Sequence, residues 1–447
     1  MRHLLRLFLI GVTALAVGDR FAEAAQVITL KDALDTALHR NIDLRRAQVD
    51  ARLGDVGVRE AWEPFLPNLE ADAAGARNYG QNFSQSEGRI INQTNDSLSL
   101  SASSGLKIFN GFHDFFGLRQ ARFQRAAGYH DLDRAAQTTV FTVTSDFVTL
   151  LLRQEQLHVL RDNLSDEAHL REQIQQYVTA GARSASDLYQ QEANVAAARV
   201  AVVQAENAVE SAQTDLVDTL LLDPSAVYDF QSPADLNDTA SFAVPEVSVL
   251  MNTALARRAD IKAAEARLDA AEQGVGVARA GWWPTLSLQG TYGSAFSNAS
   301  DAPFNDQIRD QRGGAVTLGL TIPLFEGGAT RNASHRARLE LLRQQIALEE
   351  VRQTVGVEVR RVRQDYLSAQ EQFSAAQAQQ QTAERAVRAA EERFKSGVAP
   401  LVELTQARII FLQAKNSLAT ARNNLLFQHT SLDYALGNFD RQTPRLE

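Results

Sequence analysis

Two periodicities divide the chain. Apolar residues recur every seven positions over long stretches and every second position over short ones. Leu188, Val195, Val202, Val209 and Leu216 form one seven-residue series, and Leu404, Phe411, Leu418, Leu425 and Leu432 form another. That period marks helices packed in coiled-coil fashion. The companion seam is small, with Ala198, Ala205 and Ala212 matched by Ala414, Ala421 and Gln428. Proline is absent from about 115 to 178 and from about 330 to 398. Each stretch predicts a single helix of roughly 60 residues or more, about 90–100 Å long, followed by a partner of about 35–40 residues. Helices of compact domains average about 11–12 residues, so this plan describes a rod or the wall of a tunnel.

Strand-like alternation occurs in Asn68–Ala73, Ser97–Ser103, Thr285–Tyr292 and Val316–Ile322. In the second, serines at 97, 99, 101 and 103 face away from Leu98, Leu100 and Ala102. A polar and an apolar face suit a membrane barrel, and equally a sheet lying on a soluble core. The aromatics favour the barrel. Trp62, Trp282 and Trp283 stand just before the hairpins, and Phe109 and Phe325 stand just after them. Aromatic side chains at one level mark a bilayer interface. Four strands cannot close a barrel in lipid, and the eight strands of two chains leave an interior filled by side chains. Three chains, supplying twelve strands, are the smallest assembly with an open lumen.

Both patterns occur twice, at a spacing of 216–217 residues. "ALHRNIDLRRA" from Ala37 aligns with "ALARRADIKAA" from Ala254, "PFLPNL" from Pro64 with "GWWPTL" from Gly281, and Gly181 and Asp187 with Gly397 and Glu403. Residues 25–222 are therefore expected to form one repeat, with a β-hairpin at about 64–108 and a helical hairpin at about 112–222. Residues 247–437 form the second, with a hairpin at about 284–324 and a helical hairpin at about 330–437. Residues 223–246, with three prolines, read as a linker, and 438–447 as a short tail. Gly181 and Gly397 end the long helices, and Pro400 suits the first turn of the helix that follows.

Residues 1–24 read as a secretory signal: Arg2 and Arg6, an apolar run from Leu7 to Val17, and Ala22-Glu23-Ala24 for cleavage. Removing them takes three basic and two acidic residues from 45 and 54, leaving 42 − 52 = −10. An acidic chain without a basic tract does not suit nucleic acid. With no cysteine, disulfides and thiolate metal sites are excluded. Metalloprotease, nucleophile-elbow and P-loop motifs are absent, so neither an enzyme nor a cofactor is expected. A periplasmic coiled-coil scaffold or adaptor without a pore is the alternative that these patterns leave open.

The duplicated plan, the strand-leading "PFLPNLEA" and "GWWPTLSL", the "LKIFNG" and "IPLFEGG" that follow the hairpins, and the G-x5-[DE]-L pattern at both tips resemble the TolC-like outer-membrane efflux family. The resemblance implies a mainly α fold with a small β part. In it, duplicated long-helix hairpins form an α-helical barrel, and a homotrimer shares a 12-stranded transmembrane β-barrel. It implies an outer-membrane location reaching into the periplasm, and contact with outer-membrane lipid. It also implies a periplasmic adaptor, and an inner-membrane pump or ABC transporter, in efflux or type I secretion. The family closes its periplasmic end with polar links and acidic rings. Carried over, Ser186 and Asp187 match the acceptor side of a link, and Glu403 matches the first ring. The linking arginine falls on Ala399, the tyrosine on Phe394 and the second ring acid on Gln406. Arg183 and Lys395 are the basic residues placed to substitute for that arginine.

Overall fold

A computed structural model describes residues 26–84, 88–92, 94–231 and 244–439. The expected signal and residues 440–447 of the tail lie outside them. Two helices dominate. Helix α3 (His113–Thr179) and helix α8 (Ala329–Lys395) are 67 residues each. Each turns back into a 36-residue partner, α4 (Ala185–Leu220) and α9 (Leu401–Leu436). Toward the sheet, α3 lies between α2 (Ile42–Glu60) and α6 (Ala259–Arg279), and α6 lies beside α8. The wall there runs α2–α3–α6–α8. Toward the tips it runs α4–α3–α9–α8. Continuous helices thus alternate with positions where two shorter helices meet end to end.

The two joints are built differently. At the first, α1 (Leu30–Arg40) and α2 meet at Asn41, whose side-chain oxygen accepts from the N–H groups of Asp43 (3.0 Å) and Leu44 (3.1 Å). Around it lies the largest apolar core, with Phe147, Leu150, Leu216, Leu220 and Phe230 fully or nearly fully buried. Phe230 belongs to β6 (Tyr228–Gln231), which pairs in parallel with β1 (Gln26–Thr29) and packs edge-on against Phe147. That pair corrects the linker expectation for 223–246, part of which is a strand. Two four-residue strands joined by no turn carry no hairpin signal.

At the second joint, between α5 (Val247–Arg257) and α6, Arg258 replaces the capping asparagine. Its guanidinium is buried and grips Asp260 (3.0 and 2.7 Å), Glu358 of α8 (2.6 Å) and the carbonyl of Ala435 of α9 (3.2 Å). Arg134 of α3 stacks 4.0 Å over the Tyr434 ring beside it. A charge removed from water needs such complete partnering. One joint is closed by aromatics, the other by ions.

The sheet runs β2 (Glu70–Asn78), β5 (Asn95–Asn110), β7 (Thr285–Ser297) and β8 (Gly313–Thr321), all antiparallel. A small hairpin, β3 (Gln81–Ser84) and β4 (Arg89–Asn92), prolongs the first loop. The second loop carries a short helix α7 (Phe304–Asp310), pinned by the buried Gln307 amide to the Ser297 backbone. Where β5 becomes α3, Gly111 has φ +66° and a Cβ there would lie 2.5 Å from the Ala280 carbonyl oxygen. Only glycine fits. One window of α3 is long and apolar enough, by length and composition, to cross a bilayer, and 39% of it is buried within the chain.

Candidate functional site

The tips are two copies of one turn. Past α3, the Ala182 N–H donates to the Tyr177 carbonyl (2.8 Å) and the Gly181 N–H to that of Val178 (3.0 Å). Past α8, Val398 donates to Arg393 and Gly397 to Phe394, both at 3.0 Å. Gly181 and Gly397 have φ of +72° and +74°, the left-handed geometry of a Schellman ending. The next helices start differently. Ser184 caps α4, accepting from the Asp187 N–H (3.2 Å). Pro400 is the capping residue of α9 rather than a member of its first turn, and its carbonyl accepts from the Glu403 N–H (3.2 Å).

The turns bring the first tip against the second. Phe394 is buried among Leu170, Ile174, Leu188, Leu401 and Leu404. The Arg183 guanidinium lies 4.4 Å from the centre of its ring and donates to the carbonyls of Phe394 (3.2 Å) and Ala399 (3.5 Å). Arg183 therefore joins the tips, whereas Lys395 is held by Glu392 on its own helix (3.0 Å). Among the described residues, nothing donates to the side chains of Ser186 or Asp187, so the expected link to that acceptor pair is not made within one chain. Glu403 is not a lone carboxylate either, since Arg393 reaches it at 2.6 Å. Both groups are partly exposed, which keeps the attraction weak. Gln406 is exposed.

A second tie, about two turns away, was missed by sequence reasoning. Arg408 of α9 pairs with Glu391 of α8 (2.8 Å) and donates to the Asp166 carbonyl of α3 (3.3 Å), with Glu167 at 4.0 Å. Gln191 of α4 is fully buried and donates to both the backbone and the carboxylate of Glu167. The signal available was Gln191 itself, a polar residue in the alanine seam, one heptad before Ala198. Arg408 and Glu167 are joined only by tertiary packing.

At the other end, cross-strand register sorts the sheet faces. Leu98 pairs with Phe296, Leu288 with Leu106 and Leu318, and Tyr292 with Ala102, giving one apolar and largely exposed face. Ser99, Ser101, Ser103, Gln289, Thr291 and Thr317 form the other. Trp62 sits 5.3 Å from Phe65, and Phe109 sits 5.2 Å from Phe112. Trp62, Trp282, Trp283 and Phe325 are exposed at the helix–strand junctions. The outer strands β2 and β8 leave their edges open. The helical wall repeats this. Val49 and Leu53 on α2 and Leu339, Leu342 and Ile346 on α8, its two margins, are apolar and exposed.

Known proteins share this architecture. The family model described as "Outer membrane efflux protein" matches residues 33–220 and 250–438. The chain is 27% identical to the pyoverdine export outer membrane protein OpmQ of Pseudomonas aeruginosa, covering 91% of this chain and 85% of that one. It is 26% identical to protein CyaE of Bordetella pertussis, covering 94% and 86%. The crystal structure of the outer membrane protein VceC from Vibrio cholerae superposes with a TM-score of 0.78 at 18% identity, covering 91% and 96%. The chain belongs to the outer membrane efflux protein family.

Proposed function

We propose that three copies of this chain form an exit duct through the outer membrane, which passes cargo and does no chemistry on it. The observation that carries this reading is the coincidence of open margins. The sheet ends in two unpaired strands, and the helical wall above the tips ends in two apolar helix faces on the same sides of the chain. Unpaired edges are not tolerated in lipid. Three sheets joined β8 to β2 give twelve strands, and three walls joined α8 to α2 give a twelve-helix tunnel continuing the lumen. A scaffold without a pore would not need matching edges in both layers.

The apolar sheet face contacts lipid, the hydroxyl-rich face lines the pore, and the tryptophans and phenylalanines sit at the periplasmic interface. At the far end, Arg183 and the Arg408–Glu391–Glu167 cluster hold the two helical hairpins together. They are the lock that an adaptor would release, as a switch between two packings. Three Glu403–Arg393 pairs surround the axis at the constriction. The energy for transport comes from an inner-membrane pump or ABC transporter. OpmQ exports pyoverdine and another relative, PrtF of Dickeya chrysanthemi, secretes proteases, so this plan serves both small molecules and polypeptides. The test is a heat-sensitive trimer in the outer-membrane fraction. A soluble periplasmic monomer would overturn the reading.

A further inference from the structure

A groove of about 810 Å³ runs along the wall between α3 and α8, with α9 as its floor. Its lining contains no charged side chain. That is unusual in a wall whose helices are otherwise dense in Arg, Glu and Asp. We propose that this groove faces the tunnel lumen and is a cargo-contact site for uncharged, amide-bearing chains such as a peptide backbone.

The floor helix fixes the direction. In a helix packed with a seven-residue period, residues seven apart keep the same side. Counting in sevens from Glu403 and Gln406 reaches Ser417 and Thr420, then Asn424 and Phe427, and all four line the groove. Arg408, Lys415, Arg422 and His429 are also seven apart, and they lie about half a turn away from that row. They occupy the other side of α9, where Arg408 and Arg422 meet Glu391 and Glu155. The lumenal assignment rests on the reading of Glu403 as a residue at the constriction. At the level of the groove, it makes one side of the wall ion-paired and the other neutral.

The chemistry follows from the lining. Gln379 of α8 and Asn416 and Ser417 of α9 make no side-chain hydrogen bond to another described residue. All three line the open groove. Amide side chains offer both, in the geometry that a peptide backbone also offers. The Phe427 ring supplies an apolar contact at one end. Without charges, the groove holds a polar chain without trapping ions. Individual contacts of this kind are weak, which suits a surface that cargo must leave.

The experiment uses the full-length trimer in planar bilayers, with N-acetyl-hexaalanine amide as the uncharged probe. We expect brief current blockades, with dwell times shortened roughly tenfold or more in the combined Gln379→Ala, Asn416→Ala, Ser417→Ala variant, from the loss of about three net hydrogen bonds. Asn424→Asp should shift the reversal potential toward cation preference, because a charge placed in the lumen is felt by every ion that passes. A shift with Asn424→Asp but unchanged dwell times would overturn the binding site. An unchanged reversal potential with Asn424→Asp, while Glu403→Gln still alters selectivity, would place the groove on the outer surface and overturn the proposal, leaving the reading of Glu403 intact. Heat-sensitive trimers on gels confirm that each variant has assembled before it is measured.

Discussion

Arg183 and Glu403 show what single residues do at the tip. The Arg183 guanidinium satisfies two carbonyls of the opposite turn and covers the Phe394 ring. Hydrogen bonds from a charged donor contribute about 1.5–3 kcal/mol, with a further ~0.5–2 kcal/mol from the ring. Arg183→Ala should therefore loosen the closed tip and raise the frequency of open events in bilayer recordings. An unchanged open probability would refute its role as the lock. Because Arg393 sits on Glu403, the proposed constriction would carry balanced pairs. Glu403→Gln should turn selectivity toward anions by freeing Arg393, and Arg393→Ala should turn it toward cations. Opposite shifts in reversal potential are the expected result. Arg183 was legible as a basic residue in the first tip. Arg393 was not, because its meeting with Glu403 depends on how the turn folds back.

The second joint gives the next residue-scale prediction. Burial pushes the Asp260 carboxyl up, but the hydrogen bonds and charge of Arg258 outweigh it and leave the pKa below the ordinary carboxylate value. A lowered acid stabilises the fold above its unfolded pKa of about 4, and that contribution is lost as pH falls through the folded value. Asp260→Asn should thus lower the unfolding temperature at pH 7, by progressively less as the pH falls below about 4. A difference that stays constant across that range would contradict the ionic account. Arg258→Ala should be worse, about 3–5 kcal/mol, since it leaves the half-buried Glu358 without its ion-pair partner and Asp260 with only the more distant Arg134.

At the scale of elements, the periodic patterns were the readable part. The heptads of α4 and α9 and the alternation of β5 and β7 each follow from one physical repeat, so runs of residues agree with one another. The β1–β6 pair was hidden, because it joins four residues at each end of about 200 intervening ones. The ion clusters around Arg258 and Arg408 were hidden for the same reason: each needs three helices already in place. The exposed stripes of α2 and α8 carry their own test. Burying a leucine contributes about 1.5–3 kcal/mol, and a carboxylate in its place adds a desolvation cost. Leu342→Asp should therefore reduce assembled trimer by roughly tenfold or more while leaving the helix content of the chain intact. Normal trimer yield would show that α8 does not meet a neighbour through this face.

For the whole molecule, one layer decides the next. A hydroxyl-lined sheet of four strands and a wall four helices across share the same two margins, so whatever closes one closes the other. The most direct test is the current carried by the purified, reconstituted chain in a planar lipid bilayer. Discrete conductance steps are expected from a particle whose mass is three chains, with steps lost when Leu342→Asp prevents assembly. A membrane-inserted trimer that carries no current, even in the Arg183→Ala variant, would overturn the proposed duct.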